Sequence, residues 1–213
     1  MTPNRLSIAC FFIATCALNS WATGLDDLDF FVRNVKTGSA DFTQVVTAPP
    51  KAGQTARVKT SSGNFEFARP GQFKFIYRKP FEQTIVADGQ TLWLYDVDLN
   101  QVTSRKQAAV LGSSPAALIA TASDLKALQA DFTLANAPDK DGQQWVLATP
   151  KNKDGQVQNV RVGFKGGRLT TLEILDSFGQ NSRMSFNGFQ ANPALVATAF
   201  EFKPPAGADV VRQ

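Results

Sequence analysis

The chain has 213 residues, of which 43% are hydrophobic and 19% charged; these values are typical of a globular protein and exclude a disordered one. The formal net charge is +4, but the basic residues are scattered, whereas a nucleic-acid interface needs them clustered. Histidine is absent, and both cysteines lie in the first 16 residues. Beyond them the chain has no disulfide, no His- or Cys-based metal site and no His-activated nucleophile.

Residues 1–22 are typical of an export signal. They contain one arginine, an apolar run too short to span a membrane, and a small-x-small cleavage site that ends at Ala22. Cys16 would carry the lipid in a lipoprotein signal, but the threonine before it is unfavourable there. We therefore predict a cleaved signal peptide over 1–22 and a single domain over 23–213. A lipid anchor at Cys16 is the alternative.

The mature sequence opens with apolar residues at helical spacing. Aspartates cluster at the start of this stretch, where they favour the positive end of a helix, and Gly38 suits its end. The pattern predicts an amphipathic helix that either packs on the core or crosses the mouth of a sheet. Its apolar positions are Leu25, Leu28, Phe31, Val32 and Val35.

Most of the remaining chain alternates apolar and polar residues in short runs bounded by turn residues, which predicts eleven or twelve strands. The hairpin signal at Asp88-Gly89 is the strongest turn. Flat sheets of that width are unfavourable, so we expect a mainly β protein built on one curved antiparallel sheet. The predicted strands are near 40–47, 55–68, 72–78, 82–87, 91–96, 101–106, 131–135, 143–149, 156–164, 169–175, 183–189 and 198–202.

Two short helices are predicted in the break between the strands. Ser114-Pro115 starts one, and Ser123-Asp124 caps a second over LKALQ. Neither is long enough to be stable alone, so both must rest on apolar surface, through Leu118 and Ile119 among others. If these helices cover the concave face of the sheet, they enclose an apolar pocket that suits small molecules or lipid tails.

Strand parity gives candidate lining residues for this pocket: Phe65, Phe67, Phe73, Phe75, Tyr77 and Trp93. Arg69 continues the parity of Phe65 and Phe67, so its guanidinium points at or near an aromatic face. There it needs hydrogen bonds, because arginine stays charged. Backbone carbonyls at helix ends near 28–38 or 112–120 could accept them. Alternatively, Pro70-Gly71 turns Arg69 toward a solvated rim.

Candidate catalytic residues are few. Asp96 and Asp98 flank a turn and are best interpreted as solvated acids, and the rest of a calcium loop does not follow them. The sequence has no nucleophile elbow, phosphate-binding loop or dinucleotide motif. We therefore expect no enzyme activity, no cofactor and no metal.

The run ARPGQFKFIYRKPFEQTIVADGQTLWLYDVDLNQVT, together with SSPAALIA and FEFKPPAGADV, resembles the outer-membrane lipoprotein carrier (LolA) family of the bacterial periplasm. The resemblance implies an incomplete antiparallel barrel with an α-helical lid. It implies a periplasmic carrier that takes acylated lipoproteins from an ATP-driven inner-membrane transporter and passes them to an outer-membrane receptor lipoprotein. It also implies that Arg69 latches the lid, with Leu28, Phe31, Val32, Leu118 and Ile119 as lid residues. We expect a monomer that binds no nucleic acid.

Three other classes stay open at this stage. One is a membrane-anchored receptor of the same fold, which acylation of Cys16 would indicate. Another is an integral outer-membrane barrel, which the scarce Tyr and Trp and the interspersed helices disfavour. The third is an envelope scaffold or signalling module whose cavity is filled by its own side chains.

Overall fold

The computed structural model describes residues 22–111, 119–120 and 122–213. Its helices are α1 (Gly24–Asn34), α2 (Gln107–Leu111) and α3 (Leu125–Asp131). Its strands are β1 (Thr37–Ala48), β2 (Arg57–Ala68), β3 (Gln72–Lys79), β4 (Gln83–Ala87), β5 (Thr91–Asp96), β6 (Gln101–Lys106), β7 (Phe132–Lys140), β8 (Gln143–Pro150), β9 (Val157–Lys165), β10 (Arg168–Asp176), β11 (Asn181–Ala191) and β12 (Asp209–Arg212).

The strands of the described residues form one sheet, in the order β12-β6-β5-β4-β3-β2-β1-β11-β10-β9-β8-β7. Leu92 on β5 and Leu172 on β10 line the same cavity, although six strand spacings, about 29 Å in a flat sheet, separate them. The sheet must therefore curl strongly. Its two outermost strands, β12 and β7, are not paired with each other, so the barrel is incomplete. The predicted curved, mainly β fold is confirmed.

Most strand predictions agree with the structure to within a few residues, but the predicted last strand is wrong. Residues 198–202 form no strand, and β12 lies further along at Asp209–Arg212. The alternation of Phe200 and Phe202 arises because both rings pack on the sheet, in an irregular segment that ends at two prolines. β12 pairs with β6 in parallel, so the sheet is antiparallel with one exception.

The predicted first helix is confirmed as α1. Thr23 caps its start, and Asp26 completes a capping box by accepting hydrogen bonds from the Thr23 backbone and hydroxyl. α1 ends at Asn34 rather than at Gly38, because Gly38 belongs to β1, where the Phe67 ring takes the space of a Cβ. α1 packs on β7–β10 and α3, and thus covers one half of the inner face of the sheet.

Two aromatic clusters lie on opposite faces of the sheet. The inner cluster joins α1 to the strands, with the Phe31 ring 5.9 Å from Phe67 and 5.8 Å from Phe164. The outer cluster contains Val86, Trp93, Phe200 and Phe202, and the C-terminal segment supplies its last two rings. Burying a phenylalanine contributes about 1.5–3 kcal/mol, so both clusters stabilise the fold.

Candidate functional site

A cavity of about 230 Å³ lies between the inner face of the sheet and a covering side that includes Val110 of α2, Ile119 and Ala120. We call the described residues 119–120 and 122 the covering segment. Its lining is almost entirely apolar. The sheet contributes Phe65, Phe73, Phe75, Tyr77, Ile85, Leu92, Leu172, Ile174, Met184 and Gln44, and the covering side contributes Val110, Ile119 and Ala120. We call this space the cavity. It is an apolar concavity, as the sequence predicts for lipid tails or small molecules.

Four of the six predicted lining residues reach the cavity: Phe65, Phe73, Phe75 and Tyr77. Phe75 contacts the other three rings: it stacks with Phe65 at 4.4 Å and with Tyr77 at 6.4 Å, and it meets Phe73 edge-on at 5.9 Å. Phe67 lies beyond the cavity, fully buried against Phe31 of α1. Its neighbour on that side is the helix, so Phe67 belongs to the core that supports the cavity.

The prediction that Trp93 lines the inner face is wrong. In the β4–β5 hairpin Trp93 pairs with Val86 and Leu94 pairs with Ile85, so Trp93 is on the outer face, 5.5 Å from Phe202. Side-chain parity holds within one strand, and the Asp88-Gly89 turn resets it. Leu92, the neighbour of Trp93, lines the cavity instead.

The predicted lid residues fall into two groups. The first group forms the buried face of α1 and packs in the core against β7–β10, away from the cavity: Leu28, Phe31 and Val32. Ile119 is buried and covers the cavity directly. Leu118 and the first part of the helix predicted from Ser114-Pro115 lie outside the described residues. The second predicted cap is confirmed, because Asp124 accepts a hydrogen bond from the Ala127 amide at the start of α3.

Arg69 joins the end of α1 to the covering segment. Its Nε donates to the Val35 carbonyl at 2.9 Å, and its Nη1 donates to the Ala122 carbonyl at 2.7 Å. The guanidinium lies over the rings of Phe31 and Phe67, 5.1 and 5.3 Å from their centroids. Val35 is within the range predicted from sequence, whereas Ala122 lies just beyond it. The solvated rim position is not the one that the structure shows.

The electrostatic cost of this position is visible in two ways. Burial lowers the pKa of Arg69 to about 10, because a desolvated guanidinium loses its hydration. Its Nη2 group is buried without an acceptor among the described residues, and a buried donor without a partner costs about 1–3 kcal/mol. Keeping Arg69 between the end of α1 and the covering segment therefore costs free energy that an apolar side chain at this position would not cost.

Further polar contacts beside Arg69 hold the covering segment and α2. The Gly71 amide donates to the Ala120 carbonyl at 2.9 Å. Gln107 donates to the Gly71 carbonyl at 2.7 Å and accepts from the Gly89 amide at 3.0 Å. The covering segment thus rests on a few polar contacts near the Arg69-Pro70-Gly71 turn, together with the apolar contacts of Ile119 and Ala120.

The far wall of the cavity, which Leu172, Ile174 and Met184 form, is absent from the predicted lining residues. The alternation in LTTLEIL marks Leu172 and Ile174 as one face of a strand, but not as neighbours of the aromatic strand. No cluster of potential metal ligands occurs in the described ranges. Of the helices that the structure describes, none is long and apolar enough to cross a membrane.

The family model for the outer membrane lipoprotein carrier protein LolA matches residues 33–203. This chain belongs to that family. It is 69% identical over 209 residues to the outer-membrane lipoprotein carrier protein of Albidiferax ferrireducens, covering 96% of this chain and 98% of that protein. The protein of the same name from Leptothrix cholodnii is 52% identical over 192 residues, with 90% and 87% covered.

The fold of this family member also resembles a solved structure. The crystal structure of an uncharacterized conserved protein from Thermus thermophilus superimposes with a TM-score of 0.52 at 13% identity, covering 89% of this chain and 96% of that one. At that identity the likeness concerns the fold alone. Family membership rests on the sequence matches, which extend over the strands that form the cavity.

Proposed function

We propose that this protein is a periplasmic carrier that shields the acyl chains of lipoproteins between the inner and the outer membrane. The observation that carries the proposal is the apolar cavity beneath a segment held by Arg69. Relatives that match nearly the full chain bear the name of outer-membrane lipoprotein carrier. Since each methylene group exposed to water costs about 0.8 kcal/mol, acylated proteins need such a shield.

The size of the cavity supports a closed, unloaded state. At about 230 Å³ the cavity is smaller than the roughly 300–1,000 Å³ of a typical small-molecule pocket. A triacylated lipoprotein carries three hydrocarbon chains, which need more space than this cavity offers. Loading therefore requires the covering segment to move away from the sheet, and the Arg69 contacts with Val35 and Ala122 would break as it does.

Release follows from the same contacts. When cargo leaves, Arg69 regains the Val35 and Ala122 carbonyls, and hydrogen bonds to a charged group contribute about 1.5–3 kcal/mol each. This closing energy opposes retention of the cargo, so delivery needs no nucleotide at the carrier. In the proposed route an ATP-driven inner-membrane transporter supplies the cargo and an outer-membrane receptor lipoprotein accepts it.

Dye displacement tests the proposal. The purified protein should bind a polarity-sensitive dye while folded, and a triacylated lipopeptide should displace it at stoichiometric amounts. The same peptide without acyl chains is the control. If the dye does not bind while circular dichroism shows the native sheet, the cavity is a filled core and the carrier function is wrong.

The intact mass of the mature protein tests the signal peptide. It should show a chain starting near Thr23 without lipid; a diacylglyceryl adduct at Cys16 would instead indicate the anchored receptor.

A further inference from the structure

The inner face of the sheet changes from apolar to polar along its strands. On β1 the inward positions run from Phe42 to Gln44, and on β3 they run from Phe75 to Tyr77. At this boundary the Tyr77 hydroxyl donates to Gln44 Oε1 at 3.0 Å, and Gln44 Nε2 donates to Ser182 Oγ at 2.7 Å. We call this connection from β3 to β11 the polar bridge.

A second space lies beyond the polar bridge, and we call it the trough. It measures about 460 Å³, twice the volume of the cavity, and Gln44 and Tyr77 line both spaces. The bridge is thus the partition between them. The other residues of the trough mix apolar and polar groups: Val46, Lys59, Ser61, Pro80, Phe81, Gln83, Asp96, Asp98 and Leu99.

The lining of the trough fits an amphipathic occupant. Phe81 is 59% and Leu99 69% exposed, so both apolar side chains are open to an occupant of the trough. The Lys59 Nζ atom lies 5.3 Å from the centroid of the Phe81 ring. Asp96 and Asp98 also line the trough. An acyl chain alone would displace water from these polar groups without replacing its hydrogen bonds, while a polar peptide alone would leave Phe81 and Leu99 unburied.

The chemistry of an acylated cysteine matches this division. Its tails are apolar, but its ester and amide carbonyls cost about 1–3 kcal/mol each if buried without a hydrogen bond. They are therefore excluded from the apolar cavity and must come to lie where the apolar lining ends. In this protein that place is the polar bridge, where a hydroxyl and a carboxamide can both donate hydrogen bonds.

We propose that Gln44 and Tyr77 bind the ester and amide carbonyls of an acylated amino-terminal cysteine, and that the trough holds the glyceryl group and the first peptide residues. This inference rests on the proposed carrier function and adds the site of the cargo's polar head. Without cargo the two side chains satisfy each other. With cargo they exchange their mutual bond for bonds to the carbonyls, and the Tyr77 hydroxyl stays protonated because burial raises its pKa to about 12.

Conservative variants of the bridge test this inference. Tyr77→Phe and Gln44→Met keep the side-chain bulk and remove the donors. Each should weaken binding of a triacylated lipopeptide about three- to tenfold, as expected for one hydrogen bond. Binding of diphenylhexatriene, a hydrocarbon probe with no carbonyl, should not weaken, because both substitutions make the cavity lining more apolar. Tyr95→Phe is the matched control, because the Tyr95 hydroxyl contacts only Asn100, at 3.3 Å, in the described part of the chain.

Photo-crosslinking tests the trough directly. Benzoylphenylalanine in place of Phe81 should crosslink to the peptide part of the bound lipopeptide. The same group in place of Phe178, which is also exposed but lines another surface, should not. Equal weakening of lipopeptide and diphenylhexatriene binding in the bridge variants, or no crosslink from Phe81, would overturn the inference.

The outcomes separate this inference from the carrier function itself. If the lipopeptide displaces diphenylhexatriene but does not crosslink at Phe81, the cavity binds acyl chains and the trough assignment is wrong. If the lipopeptide displaces nothing, the carrier function fails, and the head site fails with it.

Discussion

Each face of the sheet carries an aromatic cluster, and the two clusters differ in how they are covered. The outer cluster lies under the C-terminal segment, which β12 fixes to β6 and which Lys74 holds through a 2.7 Å hydrogen bond to the Ala199 carbonyl. The inner rings around the cavity lie under a segment held by Arg69 and Gly71. The inner rings border a cavity of about 230 Å³.

This difference shows that aromatic side chains on a strand do not by themselves make a binding site. The outer cover is irregular itself, but the backbone pairing of β12 with β6 anchors its C-terminal end to the sheet. The inner cover depends on a buried cation whose contacts are costly to keep and easy to exchange. We therefore expect changes on the outer face to alter stability and changes on the inner face to alter binding and delivery.

The largest effect should come from Arg69→Leu. The variant loses both carbonyl contacts and gains apolar surface, so it should keep or increase lipopeptide binding while delivery to the receptor falls at least tenfold. A transfer assay with receptor-bearing vesicles measures this. Arg33→Leu, at an exposed position of α1, is the control. Delivery at the wild-type rate would show that Arg69 is not a latch.

On the outer face, Phe200→Ala should destabilise the protein by about 3–5 kcal/mol, because it removes a buried ring and leaves a cavity. Urea unfolding followed by circular dichroism gives the free energy of unfolding. Dye affinity should stay at the wild-type value while the variant is folded. Phe178→Ala, at an exposed ring, should change neither. A large loss of dye affinity in folded Phe200→Ala would mean that the two faces are not independent.

Filling the cavity should weaken dye binding about tenfold. It should lower the free energy of unfolding by about 1–3 kcal/mol, which is less than the effect of Phe200→Ala. Ile85→Trp places the added ring in the cavity. Its neighbour Thr84 pairs with Ile76 and Tyr95 and faces the other way, so Thr84→Trp is the matched control. Titration with the polarity-sensitive dye compares them. Equal affinity in both variants would place the dye site elsewhere.

The smallest effect concerns pH. Burial raises the pKa of Tyr77 to about 12, above the usual value near 10 of the unfolded chain. Its contribution to stability is complete below pH 10 and is lost as pH rises toward 12, by about 1 kcal/mol at pH 11. Wild type should therefore lose more stability between pH 9 and 11 than Tyr77→Phe. Identical losses in urea unfolding at the two pH values would contradict the buried position.

The sequence alone predicted those features that depend on residues close together along the chain. The alternation of Phe73, Phe75 and Tyr77 placed these rings on one face, and the cap at Asp124 followed from its local pattern. Trp93 was misplaced because parity does not continue through a turn. β12 was missed because its pairing with β6 joins residues more than a hundred positions apart, and a four-residue strand has no signal of its own.

At the candidate site, too, local features were predictable and long-range contacts were not. Parity aimed Arg69 at aromatic rings, and the need of a buried cation for acceptors predicted backbone carbonyls. That these carbonyls belong to Val35 and Ala122 depends on how α1 and the covering segment meet, which no local pattern encodes. The far wall of Leu172, Ile174 and Met184 depends on the curl of the whole sheet.

The central claim is that the space beneath the Arg69-held cover accepts the acyl chains of lipoproteins. It is tested most directly by purifying the protein from periplasm under native conditions and identifying co-eluting acylated proteins by mass spectrometry, for wild type and Ile85→Trp. We predict acylated lipoproteins with wild type and far fewer with Ile85→Trp. Equal amounts with both variants, or none with wild type, would contradict the account.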